Sequence, residues 1–258
     1  MDLKLLAWGR AAMRRHHGNG LPTLWLFTDA ARLPDPRAAV ARLPRHIAGV
    51  VLRHDSDPDR AALGHDLARI CRSRRLALVV AGDVRLAARL GAGVHLRGGR
   101  WPGPLRRPGI VTSSAHNQQD LRRAARNGAH LVFLSPAFAT ASHPGAPALG
   151  ACRWALLASR AIFANRGNDR PDPCLTTSWP GSSGPTVAAP APQGMAQGMP
   201  RTDWAMKPGK RPAAPAGKGR NAARSALSVA ALGGIDGCSI RRLPRSACAA
   251  VGAIGALA

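Results

Sequence analysis

The chain has 258 residues, 45% of them hydrophobic, with a formal net charge of +24 and a pI near 11.9. That is length enough for one α/β barrel or two small domains. The composition argues against three classes. No apolar run approaches the roughly 20 residues of a membrane span. The start, Met1-Asp2-Leu3-Lys4-Leu5-Leu6, lacks a signal-peptide apolar region. Five cysteines without Cys-x-x-Cys spacing fit neither a disulfide framework nor a structural zinc site. A cytoplasmic protein with reduced thiols is expected.

Residues 1–22 read as a leader, with Leu3, Leu6 and Ala7 able to share a helix face, and either frayed or docked. Strands and helices then alternate. Leu24–Asp29 is a strand. Pro36–Leu43 is a helix, with Asp35 as N-cap and Pro36 at its first position. Ile47–Arg53 is the second strand. Asp57-Pro58 opens a helix to Arg74, in which Leu63, Leu67 and Ile70 keep helical spacing. Leu76–Val80, Gly93–Leu96 and Gly109–Ser113 are the third to fifth strands, with a helix at Val84–Leu90. A helix through Arg126 follows, capped by His116 or Asn117. Leu131–Leu134 is the sixth strand, Cys152–Ala161 a helix, Val229–Leu232 the seventh strand, Ile240–Leu243 a helical turn and Val251–Ile254 the eighth strand.

Eight apolar strands with intervening helices predict an α/β fold of the (β/α)8 TIM barrel type. The barrel runs over 23–162 (strands 1–6) and 229–258 (strands 7–8). Residues 163–228 interrupt it with Gly-Ser-Ser-Gly-Pro, Ala-Ala-Pro-Ala-Pro and Lys-Pro-Gly-Lys-Arg-Pro. That basic Pro/Gly/Ala-rich composition buries too little apolar surface to offset ordering entropy, so a disordered insertion is expected. It falls between a helix and the next strand, a connection on the barrel face opposite the active site.

The positive charge is mostly arginine, scattered singly along helix faces. It suits phosphorylated small molecules, and neither nucleic acid nor membrane is expected as a partner. Ser113-Ser114 has no Gly-x-Ser-x-Gly elbow, and Gly217-Lys218-Gly219-Arg220 lacks P-loop spacing. His95, His116 and His143 match no metal-ligand spacing.

In order and spacing, four segments resemble the thiamine phosphate synthase/TenI family: Gly93-Val94-His95-Leu96, Ser114-Ala115-His116, Ser135-Pro136-Ala137-Phe138-Ala139-Thr140 and Ala231-Leu232-Gly233-Gly234-Ile235. The resemblance spans about Leu24–Arg160 and resumes at Val229. It implies a barrel that joins a hydroxymethylpyrimidine diphosphate to a thiazole phosphate and releases pyrophosphate, with Mg2+ offsetting the leaving group's charge. Carried over residue by residue, it matches Arg53 to the arginine after the second strand, a bidentate pyrophosphate donor. Val51 and Asp55 stand where the family has Gln and Lys, and Ala81-Gly82 where it has Asn-Asp. Arg100 stands where it has a metal-binding Asp. Both usual Mg2+ carboxylates are therefore absent, and Asp83, one place late, is the remaining metal candidate.

Arg97 and Arg100 bring positive charge instead, either to bind phosphate or as exposed charges on the rim. Ser114 matches the family serine, Thr140 the threonine, and His143 stands where the family has a lysine. Gly233-Gly234 follows the seventh strand, where backbone N–H groups of barrels commonly hold phosphate, though two glycines also make a tight turn. His116 matches the acid/base histidine of TenI-type aminothiazole tautomerases, which need no metal. Its plain alternative is a helix cap. A third reading is a non-catalytic phosphate-ligand-binding barrel.

Overall fold

The computed structural model describes residues 1–16, 20–101, 109–140, 145, 147–164 and 227–258. The elements are α1 (Leu3–Arg15), β1 (Leu24–Phe27), α2 (Arg37–Arg42), β2 (Ala48–Leu52), α3 (Arg60–Arg74), β3 (Ala77–Ala81), α4 (Val84–Leu90), β4 (Gly93–Leu96), β5 (Val111–Ala115), α5 (Gln118–Arg126), β6 (Leu131–Leu134), α6 (Gly150–Ala164), β7 (Ser228–Leu232), a single 3-10 turn (Ser239–Arg242) and β8 (Ala250–Ala253). The eight strands close in sequence order, each parallel to its neighbours, with β8 paired to β1. This is the expected (β/α)8 barrel. The expected insertion, 163–228, lies outside the described residues except at its two ends.

Strand side chains alternate between two cores, which is why the strands read as continuous apolar runs. Leu24 and Leu26 of β1 face the helices, in one cluster with Val50, Leu52, Val80 and Leu134. Trp25 and Phe27 face inward with Val51, Val79, Leu131 and Phe133. Inside the barrel the rings of Trp25 and Phe27 meet Phe133 edge-on, with centroids 5.8 and 4.9 Å apart. Room for the Trp25 and Phe27 rings comes from glycines on the neighbouring strands β2 and β8. A Cβ on Gly49 would sit 2.7 Å from Trp25, one on Gly252 would sit 2.6 Å from Phe27, and one on Gly93 would strike the Ile110 carbonyl.

Residues 1–22 contain a docked helix, one of the two forms expected for them. Asp2 caps α1 by accepting the N–H groups of Lys4 and Leu5. Its second carboxylate oxygen accepts the N–H of Gly237, 2.6 Å away in the segment after β7. Lower down, Thr23 Oγ1 donates to the Gly9 carbonyl, and Gly9 leaves room for Leu24. Helix α2 begins one residue later than expected, with Pro36 in the cap position, while the Asp35 carboxylate accepts the Arg37 N–H. No helix among the described residues is long and apolar enough to cross a membrane.

Candidate active site

The carboxyl ends of the strands open on one face. At β2 a buried network fixes the chain. Thr28 Oγ1 accepts the Arg53 N–H at 2.9 Å and lies 2.9 Å from His54 Nδ1. His54 Nε2 points at the Pro34 carbonyl, 3.3 Å away. A carbonyl only accepts, so Nε2 carries the proton and Nδ1 takes the Thr28 hydroxyl proton. The backbone of Arg53 is thus held, while its side chain is exposed at the mouth, without a hydrogen-bond or ion-pair partner among the described residues.

Beside Arg53 lies a cleft of about 410 Å³ lined by Asp55, Arg60, Arg97 and Arg100 over Ala81 and Gly82. Arg97 pairs with Asp55 at 2.5 Å. Arg60 lies 3.3 Å from the other Asp55 oxygen and 4.0 Å from Asp83, and donates to the Ala81 carbonyl at 2.6 Å. Gly82 has φ +70° and no side chain, and a Cβ there would come within 3.3 Å of the Arg97 guanidinium. Arg97 therefore lies across the end of β3, where the family would place a carboxylate. Four guanidinium groups meet two carboxylates here, counting Arg53 and Asp83, so the region keeps an excess positive charge.

Asp83 is the N-cap of α4, accepting the Leu86 N–H at 2.8 Å. Among the described residues no group of three His, Cys, Asp or Glu side chains is placed to hold a metal ion. The two carboxylates by the cleft are both engaged by arginine. This donor set does not suit the Mg2+ that the resemblance implies.

His95 lies at the centre of the mouth, 3% exposed, with Nδ1 2.9 Å from Thr112 Oγ1. Phe27 stands edge-on to its ring at 5.5 Å. Burial pulls its pKa down from 6.5 to about 3, and the nearby charges of Arg53 and Arg97 push the same way. The folded value lies below the unfolded one. The stability contributed is therefore complete above pH 6.5 and is lost as pH falls from 6.5 toward 3. His95→Gln is expected to lose less stability than the wild type between pH 7 and pH 4, measured by urea unfolding. Equal losses would mean that His95 is not held neutral.

On the next strands, Ser113 and Ser114 hold the loop after β4: their hydroxyls accept the N–H groups of Gly99 (3.0 Å) and Gly98 (3.2 Å). The alternatives for His116 separate. Asn117 caps α5 by accepting the Asp120 N–H, and His116 does not. His116 Nδ1 instead lies 3.0 Å from the Ser135 carbonyl, which fixes the proton on Nδ1. Nε2 lies at the exposed rim.

After β7, Gly233 and Gly234 have φ +91° and +62°. Their carbonyls accept from the Phe138 N–H (3.1 Å) and Ser239 Oγ (2.9 Å). Neither amide donates to a protein carbonyl among the described residues. A Cβ on Gly234 would strike the Ala139 carbonyl, so this turn packs tightly on the loop after β6. Thr140 is half-buried at the end of that loop. His143 lies outside the described residues.

A family model described as thiamine monophosphate synthase matches residues 26–162, more than half of the chain. The chain belongs to the thiamine monophosphate synthase/TenI family. Among solved structures it is similar to a thiamine phosphate pyrophosphorylase from Pyrococcus furiosus, at 14% identity and a TM-score of 0.54, covering 92% of this chain and 87% of that one. At that identity the likeness speaks for the barrel alone. A HpcH/HpaI aldolase/citrate lyase family protein from Burkholderia cenocepacia matches at 13% identity and a TM-score of 0.49, covering 95% of this chain and 92% of that one.

Set against this thiamine monophosphate synthase family, the barrel lines one cleft at the mouth with Arg97 and Arg100, and Arg53 follows the neighbouring strand β2. Sequence reasoning missed Arg60 and Ser135. Arg60 reads as the first residue of a solvated helix, and only the fold turns its side chain back over the cleft. Ser135 sits in a segment carrying the resemblance, but its carbonyl's hold on His116 leaves no mark in the sequence.

Proposed function

We propose that this chain is a thiamine phosphate synthase-like transferase, joining a hydroxymethylpyrimidine diphosphate to a thiazole phosphate with release of pyrophosphate. The observation that supports the reading is an arginine cleft and a pair of glycine amides facing each other across one mouth. Strands β3 and β7 are opposite in an eight-membered ring. The arginine cleft lies at the ends of β2–β4, and the Gly233-Gly234 amides lie at the end of β7.

In this reading the bond between the pyrimidine's methylene carbon and the diphosphate oxygen breaks, and both electrons leave with pyrophosphate. The thiazole nitrogen's lone pair then forms the new C–N bond, and no proton has to move. Arg53, Arg97 and Arg100 stabilise the charge gathering on the leaving group, as preorganised donors do in a partly desolvated site. Ser114 positions the loop carrying both Arg97 and Arg100 and contacts the same group. His143 is assigned to it by its place in the sequence, and Thr140 and the two glycines to the thiazole phosphate.

A second reading is favoured by one observation. His116 has Nδ1 tied to a carbonyl and Nε2 available, which is the arrangement of an acid/base histidine in a TenI-like aminothiazole tautomerase. Binding experiments test the two-seat geometry. Inorganic pyrophosphate titrated into protein saturated with thiazole phosphate is expected to bind with unchanged affinity. Displacement of one by the other would contradict two separate seats.

A further inference from the structure

We infer that Arg60 stands where a divalent cation would stand between Asp55 and Asp83, so that the cleft binds a pyrophosphate-class anion without metal. The inference rests on the arginine cleft being the diphosphate seat. Arg60 opens α3, where a long side chain would ordinarily extend into water. Instead it is only 16% exposed and folds back over the strand ends. Its guanidinium meets three oxygens from two adjacent strand ends: Asp55 Oδ1 at 3.3 Å, the Ala81 carbonyl at 2.6 Å and Asp83 Oδ2 at 4.0 Å. Its Nε is buried without a hydrogen-bond partner among the described residues, so this packing is not set by hydrogen-bond optimisation of the whole group. The charge is placed between the carboxylates.

A hard divalent ion would need those same oxygens at roughly 2.0–2.6 Å. It would also meet the charge of Arg60 at the same point. Each carboxylate already has one oxygen engaged away from Arg60. Asp55 gives its other oxygen to Arg97 at 2.5 Å, and Asp83 gives Oδ1 to the Leu86 N–H at 2.8 Å. Without a cation between them, the two carboxylates would oppose an incoming anion. A covalently attached guanidinium supplies that cation permanently, because arginine stays protonated in proteins. Arg53 and Arg100 then remain for the ligand, with Arg97 shared between it and Asp55.

The test uses the full chain and two probes, Mn2+ alone and inorganic pyrophosphate. Mn2+ uptake is read by electron paramagnetic resonance and pyrophosphate affinity by calorimetry in excess chelator. Wild-type protein is expected to take up no Mn2+ and to bind pyrophosphate in chelator. Arg60→Ser, which frees Asp55 and Asp83, is expected to take up Mn2+. Its pyrophosphate affinity in chelator should fall about tenfold, the size of one charge-assisted contact, and Mn2+ should restore it. If Arg60→Ser does not fold, Arg60→Lys serves: a point charge spans the two carboxylates poorly, so pyrophosphate affinity in chelator should fall severalfold, and an unchanged value overturns the inference. Wild-type protein that binds pyrophosphate only with Mn2+ overturns the inference and leaves the diphosphate seat standing. Wild-type protein that binds it under neither condition overturns both.

Discussion

Gly49→Val is expected to destabilise the barrel by about 3 kcal/mol or more, and Trp25→Ala in the same chain is expected to recover much of that loss. Trp25 and Gly49 are direct partners across β1 and β2. A Cβ at Gly49 would lie 2.7 Å from two carbons of the indole. The indole cannot step aside. It is fully buried, donates Nε1–H to the Pro22 carbonyl at 2.9 Å and meets Phe133 edge-on. Overpacking by a few carbons in a dense core costs about 1–3 kcal/mol, and a β-branched side chain adds several at once. Trp25→Ala alone leaves a cavity, at about 3–5 kcal/mol. The two changes share one space, so their losses should be far from additive in a urea-unfolding double-mutant cycle. Additive losses would mean that the indole does not occupy the room over Gly49.

Arg53→Ala should weaken pyrophosphate binding by about 30- to 100-fold while leaving thermal stability unchanged. A hydrogen bond to a charged group contributes about 1.5–3 kcal/mol, and a bidentate guanidinium sits at the upper end of that range. Stability should hold because the fold uses only the Arg53 backbone, through Thr28. Arg53→Lys should recover part of the affinity, since a point charge replaces the attraction but not the fork. Thiazole phosphate, assigned to the opposite side of the mouth, should bind equally well to all three proteins. Calorimetry separates the cases: a parallel loss for both ligands would place Arg53 in the general field of the mouth, and no loss would remove it from the seat.

The barrel was legible because parallel strands buried on both faces leave dense apolar runs, and Leu24–Phe27, Val79–Val80 and Leu131–Leu134 are such runs. Boundaries were less legible. The sequence suggests a fifth strand from Gly109, yet the ladder starts at Val111, paired with Val94. Docking of α1 depends on Asp2 meeting Gly237, a contact between distant parts of the chain that no local pattern encodes. At the mouth, the residue types were readable but their pairing was not. Asp55 could be seen to replace a family lysine. That it pairs with both Arg97 and Arg60 follows only from strand order and the turn-back of one long side chain. For His116 the sequence left cap and acid/base roles open, because Asn117 is an equally good cap one residue on. The structure gives the cap to Asn117 and leaves the imidazole at the rim.

The most direct measurement is formation of thiamine phosphate from hydroxymethylpyrimidine diphosphate and thiazole phosphate, with excess chelator and with added Mg2+. Product at matching rates under both conditions, with one pyrophosphate released per thiamine phosphate, is the expected result. Absence of product under both conditions, while both substrates still bind, would contradict synthase chemistry at this mouth.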